Sequence, residues 1–320
     1  MTRTVIVDCD PGHDDALALF VAFGSADLHV AAVTTVCGNQ TVDLVTRNAL
    51  AIVEIAGLTG RVVVASGAAT PLERVHTPAA GIHGDTGLDG PVLPTALGPV
   101  DARPADAVIV DLVMSAAPGQ ITLVATGPLT NLALALRREP SIAGRVAEVV
   151  LMGGAATQGN ITPSAEFNIH VDPEAAAAVF EAAWPVTMMG LEVTHLALAT
   201  PDVRARIAAL GSRVGRFSAE LLDFFGERYL VEQGFEHPPV HDLCPVVYLL
   251  DPTVFSVTDA PIAVETRGEL TVGRTVVDLR GPAPSDCRHR VGLDLDAERF
   301  WDLVLSALGA LGSRGGTSAA

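Results

Sequence analysis

Short apolar runs rich in Val and Ile recur along the chain, and each precedes a segment whose apolar residues return at helical spacing. This alternation predicts parallel strands covered by helices on both faces, because a strand buried on both sides reads as a continuous apolar run. The predicted strands span 4–7, 28–36, 61–65, 121–125, 148–152 and 186–189, with helices over 42–56, 104–116 and 173–182 among them. Asp172-Pro173-Glu174 has the chemistry of a helix start: Asp as N-cap, Pro at the first position, and an acid in the first turn. Residues 201–233 read as two helices divided at Gly211-Ser212, and beyond them the order is less regular. The pattern predicts an α/β fold, a single domain over 1–311 with a doubly wound, mostly parallel sheet. No repeat, low-complexity tract or linker interrupts it before a tail at 312–320, which is expected to be disordered. Two connections, 67–103 and 153–171, are long for a compact fold, and loops of that length commonly carry function.

Composition narrows the chemistry. The chain has 320 residues, 49% hydrophobic and 18% charged, enough to build a large core and too apolar for disorder. Against 20 Lys+Arg stand 37 Asp+Glu, a net charge of −17, and no basic run offsets it. Such a surface repels phosphate backbones and anionic headgroups, which excludes nucleic acid and membrane as expected partners. Every basic residue is Arg, and the absence of Lys removes P-loop, kinase-like, pyridoxal and Schiff-base chemistry. The N-terminus runs directly into acidic residues without a secretory pattern, and the longest apolar stretches, 16–26 and 185–191, fall short of the about 20 residues that span a bilayer. A cytoplasmic protein is expected. Cys9, Cys37, Cys244 and Cys287 form no C-x-x-C pair, which suits reduced core thiols. The sequons at Asn39 and Asn160 would then have no glycosylation role.

In open α/β sheets ligands bind beyond the carboxyl ends of the strands. The first strand empties into Asp8-Cys9-Asp10-Pro11-Gly12-His13-Asp14-Asp15, four carboxylates whose mutual repulsion a cation would relieve. Helix capping by Asp14 and Asp15, with Asp8 facing solvent, accounts for some of them but not all four. A hard divalent ion needs more oxygens than one loop supplies. Thr126, after the strand at 121–125, and His241-Asp242, after Pro238-Pro239, could complete the cage; zinc is disfavoured by the scarcity of His and Cys. The loop after Met152-Gly153-Gly154 carries Asn160, Glu166, Phe167, Asn168 and His170, a hydrogen-bonding set suited to a polyhydroxylated ligand. The competing reading is that Asn160 and Asn168 only satisfy loop backbone.

The run Val7-Asp8-Cys9-Asp10-Pro11-Gly12-His13-Asp14-Asp15-Ala16 resembles the N-terminal signature of the inosine-uridine-preferring nucleoside hydrolases. The resemblance continues in order through Gly38-Asn39-Gln40-Thr41, residues 82–90, 126–131 and 163–169, and Pro239-Val240-His241-Asp242. It implies the Rossmann-like fold of that family, hydrolysis of ribonucleosides to ribose and free base, one calcium ion, and a homo-oligomer, dimer or tetramer. Carried over, it implies calcium ligation by Asp10, Asp15, the Thr126 carbonyl and Asp242, with Asp10 also the general base. It implies that Asp14 and Asn168 hold ribose hydroxyls, Asn160 and Glu166 the 5′ hydroxyl, and that Asn39 lies near the attacking water. Met152 and Phe167 would line the pocket, and His241, at an ordinary imidazole pKa of about 6.5, would protonate the leaving base. His83, in the Gly-rich stretch 81–90, and Tyr229 are expected to close over substrate. The segment with Phe224, Phe225 and Tyr229 departs from relatives that place further tyrosines or a glutamine there, which leaves purine or pyrimidine preference open. Glu192 stands where Asp is expected. Two rival readings are a magnesium phosphatase with Asp8 and Asp10 as its D-x-D pair, opposed by the missing Lys, and a non-catalytic nucleoside sensor, opposed by intact Asp10 and His241.

Overall fold

A computed structural model describes residues 2–315. Eight strands form one sheet in the order β3-β2-β1-β4-β5-β6-β10-β7. These are β1 (Arg3–Cys9), β2 (Leu28–Thr35), β3 (Val63–Ser66), β4 (Ile121–Ala125), β5 (Val149–Met152), β6 (Val186–Met189), β7 (Phe255–Asp259) and β10 (His289–Leu295); β8 (Ile262–Val264) and β9 (Thr275–Val277) pair separately. All neighbours in the large sheet run parallel except β7, which lies antiparallel to β10 at one edge. The first half of the chain supplies helices α1 (His13–Gly24), α2 (Val42–Ile55), α3 (Ala80–His83), α4 (Ala105–Ser115) and α5 (Thr130–Arg138). The second supplies α6 (Phe167–Val171), α7 (Pro173–Glu181), α8 (Leu191–Thr194), α9 (Pro201–Ala209), α10 (Arg213–Gln233), α11 (Leu243–Leu250) and α12 (Ala297–Gly315).

The six predicted strands form as β1 to β6, and the Asp172 cap forms as read: its carboxylate accepts the Ala175 N–H at 3.0 Å. Two apolar cores flank the sheet. One packs α1, α2, α10, α11 and α12 together; the other packs α4, α5 and α7 on the opposite face. The strands left unread are β7 to β10. β7 sits at the edge with mostly polar, partly exposed residues, and β8 and β9 are three residues long, so neither gives an apolar run. The expected tail is corrected in part: α12 continues through Gly315, so 312–315 are helical, and 316–320 lie outside the described residues. Strand order reverses between β1 and β4, which opens a crevice at their carboxyl ends where α/β sheets bind ligands.

Candidate active site

β1 delivers the acidic loop to this crevice, and α1 starts within it. Asp15, at the third position of α1, reaches back to accept the Gly12 N–H at 2.9 Å, while its other oxygen takes the Thr126 hydroxyl at 2.7 Å. Thr126 itself is pinned to β1 because its N–H donates to the Asp8 carbonyl at 2.8 Å. Asp14 accepts the backbone N–H of His241 at 3.0 Å, which draws the distant segment 238–242 to the same point. Carboxylate oxygens of Asp14, Asp15 and Asp242 lie within 4.8 Å of one another. Asp10 stands beside them. Its Oδ2 accepts the Asn39 N–H at 2.6 Å, whereas its Oδ1 is buried with no hydrogen-bond partner among the described residues. Gly38 and Gly127 make room for this carboxylate, since a Cβ on either would collide with it.

All four aspartates are buried; Asp10, Asp14 and Asp15 are met by backbone amides, a hydroxyl and a carboxamide rather than arginines, and the Asp242 carboxyl meets that of Asp15. Burial and the neighbouring carboxylates push Asp10 and Asp242 well above the ordinary range, Asp14 to about 7, and burial raises Asp15. Clustered buried carboxylates with one bare oxygen and no cationic partner fit a hard divalent ion, because only positive charge relieves both the repulsion and the lost hydration. The carbonyl of Thr126, which accepts from Asn168 at 2.8 Å, keeps a second lone pair for such an ion. The mutually close trio contains Asp14, which the resemblance assigns to ribose, and omits Asp10, which it assigns as a ligand.

A partly open cavity lies above this floor. Its lining includes Asp14, Asn39, His83, Thr126, Met152, Asn160, Glu166, Phe167, Asn168, Tyr229, His241 and Asp242, so the residues singled out from sequence converge there; Asp10 and Asp15 lie behind. Asn168 donates to the Thr126 and Met152 carbonyls (2.8 and 3.2 Å), and the Asn160 carboxamide accepts the Phe167 N–H at 3.0 Å. Glu166 caps α6 and accepts the N–H groups of Gly154 and Asn168 at 2.8 and 2.9 Å, although burial raises its pKa. These three therefore brace the loop as well as face the cavity.

The far wall is aromatic. His241 Nε2 meets the Tyr229 hydroxyl at 2.8 Å and its Nδ1 meets the Thr194 hydroxyl at 2.8 Å. Burial, with a smaller push from His195, lowers His241 to about 3, so the expected imidazole near 6.5 is not what the fold provides. The Gly-rich stretch starts as the helical turn α3, with His83 already buried and turned inward. The sequence reading missed Ala79, Ile82, Ile161 and Gln233 as cavity residues; Gln233 ends the long helix α10 four residues after Tyr229, a helical spacing that could have indicated a shared face. Asp8 is buried, against the capping reading that left it in solvent: Thr34 and Asn131 donate to its Oδ1 at 2.5 and 2.8 Å, which ties β1 to β2 and α5, and it does not line the cavity, so nothing there presents it as a phosphatase nucleophile. Glu192 also finds a role: its Oε1 accepts both the N–H and hydroxyl of Thr157 at 2.8 Å, bracing the loop after β5.

A model of the inosine-uridine preferring nucleoside hydrolases matches residues 5–302. Among curated relatives, the inosine-uridine preferring nucleoside hydrolase of Leishmania major is 47% identical over 98% of this chain and 99% of its own. The pyrimidine-specific ribonucleoside hydrolase RihA of Shewanella woodyi is 45% identical over 96% and 98%. Among solved structures, the purine-preferring ribonucleoside hydrolase from Gardnerella vaginalis superposes with a TM-score of 0.91 at 30% identity, covering 98% of this chain and 100% of that one. With its switch-point carboxylates and the hydrogen-bonding cavity above them, the chain belongs to the inosine-uridine preferring nucleoside hydrolase family, whose members are N-glycosidases.

Proposed function

We propose that this protein hydrolyses ribonucleosides at the N-glycosidic bond with Asp10 as general base and His241, paired with Tyr229, as the source of the proton for the leaving base. The observation that carries the reading is the bare, buried Oδ1 of Asp10 beside the Asp14, Asp15 and Asp242 cluster, at the foot of a cavity lined by hydrogen-bonding side chains. Asp15, Asp242, the Thr126 carbonyl and Asp10 would hold a calcium ion, the Asp14 carboxylate lying within reach of it as well. When bound, calcium supplies the positive charge that offsets these carboxylates and lowers the pKa of nearby water.

The chain's own groups supply the rest. Asp10 Oδ1 takes a proton from water as its oxygen bonds to the anomeric carbon, and the bond from that carbon to the base nitrogen breaks. Asn39, fixed on Asp10 by its N–H and on the Asp10 carbonyl by its side chain at 3.1 Å, orients this water. Ionised carboxylates below the sugar stabilise its oxocarbenium-like charge. The electrons released onto the base nitrogen are met by a proton from the His241–Tyr229 contact. Because imidazolium is scarce in this buried site, that transfer is expected to be concerted with bond cleavage. Asp14, Asn168, Asn160 and Glu166 would hold the ribose hydroxyls, Met152 and Phe167 would pack against the ligand, and His83 and Tyr229 would cover it.

Incubation with calcium and a panel of purine and pyrimidine ribonucleosides tests the reading: reducing sugar and free base should appear. Phosphate release from phosphomonoesters, or nucleoside binding without turnover, would overturn it. Family resemblance also supports a homo-oligomer, dimer or tetramer, working in the cytoplasm, and light scattering tests the former. No helix among the described residues is long and apolar enough to cross a membrane.

A further inference from the structure

Behind the cavity roof runs a chain of hydrogen-bonding groups whose donors and acceptors can be assigned one after another. His13, fully buried, places its Nε2 2.8 Å from the Asp89 carbonyl oxygen. A carbonyl only accepts, so Nε2 carries the hydrogen and the Nδ1 of a neutral His13 is bare. That Nδ1 lies 3.2 Å from the Nδ1 of His83. Two lone pairs facing each other at that distance would repel, so His83 Nδ1 carries a hydrogen and its Nε2 is left bare. His83 lines the cavity, and its Nε2 has no hydrogen bond among the described residues. Charging His13 would reverse these polarities. However, its ring lies parallel to Phe224 and Phe225 at 5.2 Å from each, and the Asp89 carboxylate is already engaged by Thr86 and by the Asp85 N–H, so a cation there would be buried without a paired carboxylate. The backbone N–H of His13 also points at His83 Nδ1 and opposes this assignment, but from 3.4 Å, beyond the usual hydrogen-bond range, so the closer Nδ1–Nδ1 approach at 3.2 Å decides.

We propose that His13 is a positioning residue that holds His83 in its Nδ1–H form, so that the cavity roof presents a bare nitrogen acceptor and selects ligands that donate a hydrogen bond to it. The inference rests on the cavity being the nucleoside site; the donor would be a ribose hydroxyl or an N–H of the base. Close packing keeps the ring in register, because a Cβ on Gly12 would come within 2.5 Å of His83 Nδ1.

Nitrogen-15 NMR of histidine-labelled protein without ligand tests this, with His13→Phe and His83→Gln for assignment. At neutral pH the account expects His13 as the Nε2–H form and His83 as the Nδ1–H form. In His13→Phe, which keeps an aromatic ring in the stack but removes the acceptor, His83 should revert to Nε2–H. KM for ribonucleosides should then rise about tenfold with kcat within about twofold, the size expected when an acceptor facing a ligand donor becomes a donor. A wild-type His83 in the Nε2–H form, a doubly protonated His13, or an unchanged His83 tautomer in His13→Phe would overturn the proposal. The wild-type spectrum decides even if the variant fails to fold, and it needs no turnover, so its outcome is separate from whether the protein is a hydrolase.

Discussion

The floor and the roof of the cavity are built by different physics. The floor is carboxylate, held by directional bonds: Gly12 and Thr126 on Asp15, Asn39 on Asp10, and the His241 backbone on Asp14. The roof is ring against ring, with His13 stacked on Phe224 and Phe225, and Phe225 edge-on to Tyr229 at 4.7 Å. Bonds of the first kind place an atom to within tenths of an ångström and fail abruptly when one partner goes. Ring packing tolerates substitution and adjusts shape. On the proposed function the floor would govern whether the reaction occurs, and the roof which base is accepted and how its departure is helped.

The sharpest way to break this contrast is to neutralise the floor without changing its shape. Asp10→Asn is expected to lower kcat for ribonucleoside hydrolysis by about 10³-fold or more, since it removes the base and leaves the volume intact; a loss under tenfold, with native melting behaviour, would contradict the assignment. On the roof, His241→Ala is expected to cost about 10²-fold with inosine or uridine but under tenfold with a p-nitrophenyl riboside, whose leaving group needs no proton. Equal losses on both would remove the acid role. The pH profile sharpens the same point: because His241 sits near 3, nucleoside turnover between pH 6 and 8 should show no decline from an acid group titrating near 6.5.

Removing metal exposes the floor's electrostatics through stability. Asp8 and Asp14 are raised to about 7 in the fold from 3.8 in the open chain, so between those values the folded form binds more protons than the unfolded. As far as these groups decide it, the stability of chelator-stripped protein should be fully present below about pH 3.8, fall as pH rises from there, and be lost once pH passes 7. Calcium affinity should move the opposite way, because its ligands must be ionised. Melting curves at pH 5.5 and 7.5, with chelator and with calcium, check both signs. The smallest effect is expected at Glu192→Gln, which weakens the brace on Thr157 and should change KM by less than about threefold.

Much of the floor was legible because it lies in one short stretch after an apolar strand, where a cluster of acids has no ordinary structural explanation. Asp242 was legible only as a candidate oxygen ligand after Pro238-Pro239, since nothing local ties position 242 to position 15, and the resemblance added its role. The six buried strands were equally plain from their Val and Ile runs, whereas β7 is a largely polar edge strand, β8 and β9 are three residues long, and β10 mixes charged residues and Gly into HRVGLDL, so none reads as a continuous apolar run. The roof was least legible. Phe224, Phe225 and Tyr229 were noticed as residues, but the stacking of His13 on the two phenylalanines, with Tyr229 edge-on to Phe225, depends on α1 and α10 meeting across the fold. Burial also decides two points the sequence could not: Asp8 is hidden, against the capping reading, and His241, which the resemblance implied as an ordinary imidazole, is lowered to about 3.

Calorimetric titration of chelator-stripped protein with calcium, followed on the same samples by a ribonucleoside hydrolysis assay, tests the central claim most directly. The account predicts one tight site per chain, lost in Asp15→Asn and Asp242→Asn, with turnover returning in proportion to occupancy. Full turnover in the stripped protein, or calcium binding that survives both substitutions, would contradict it.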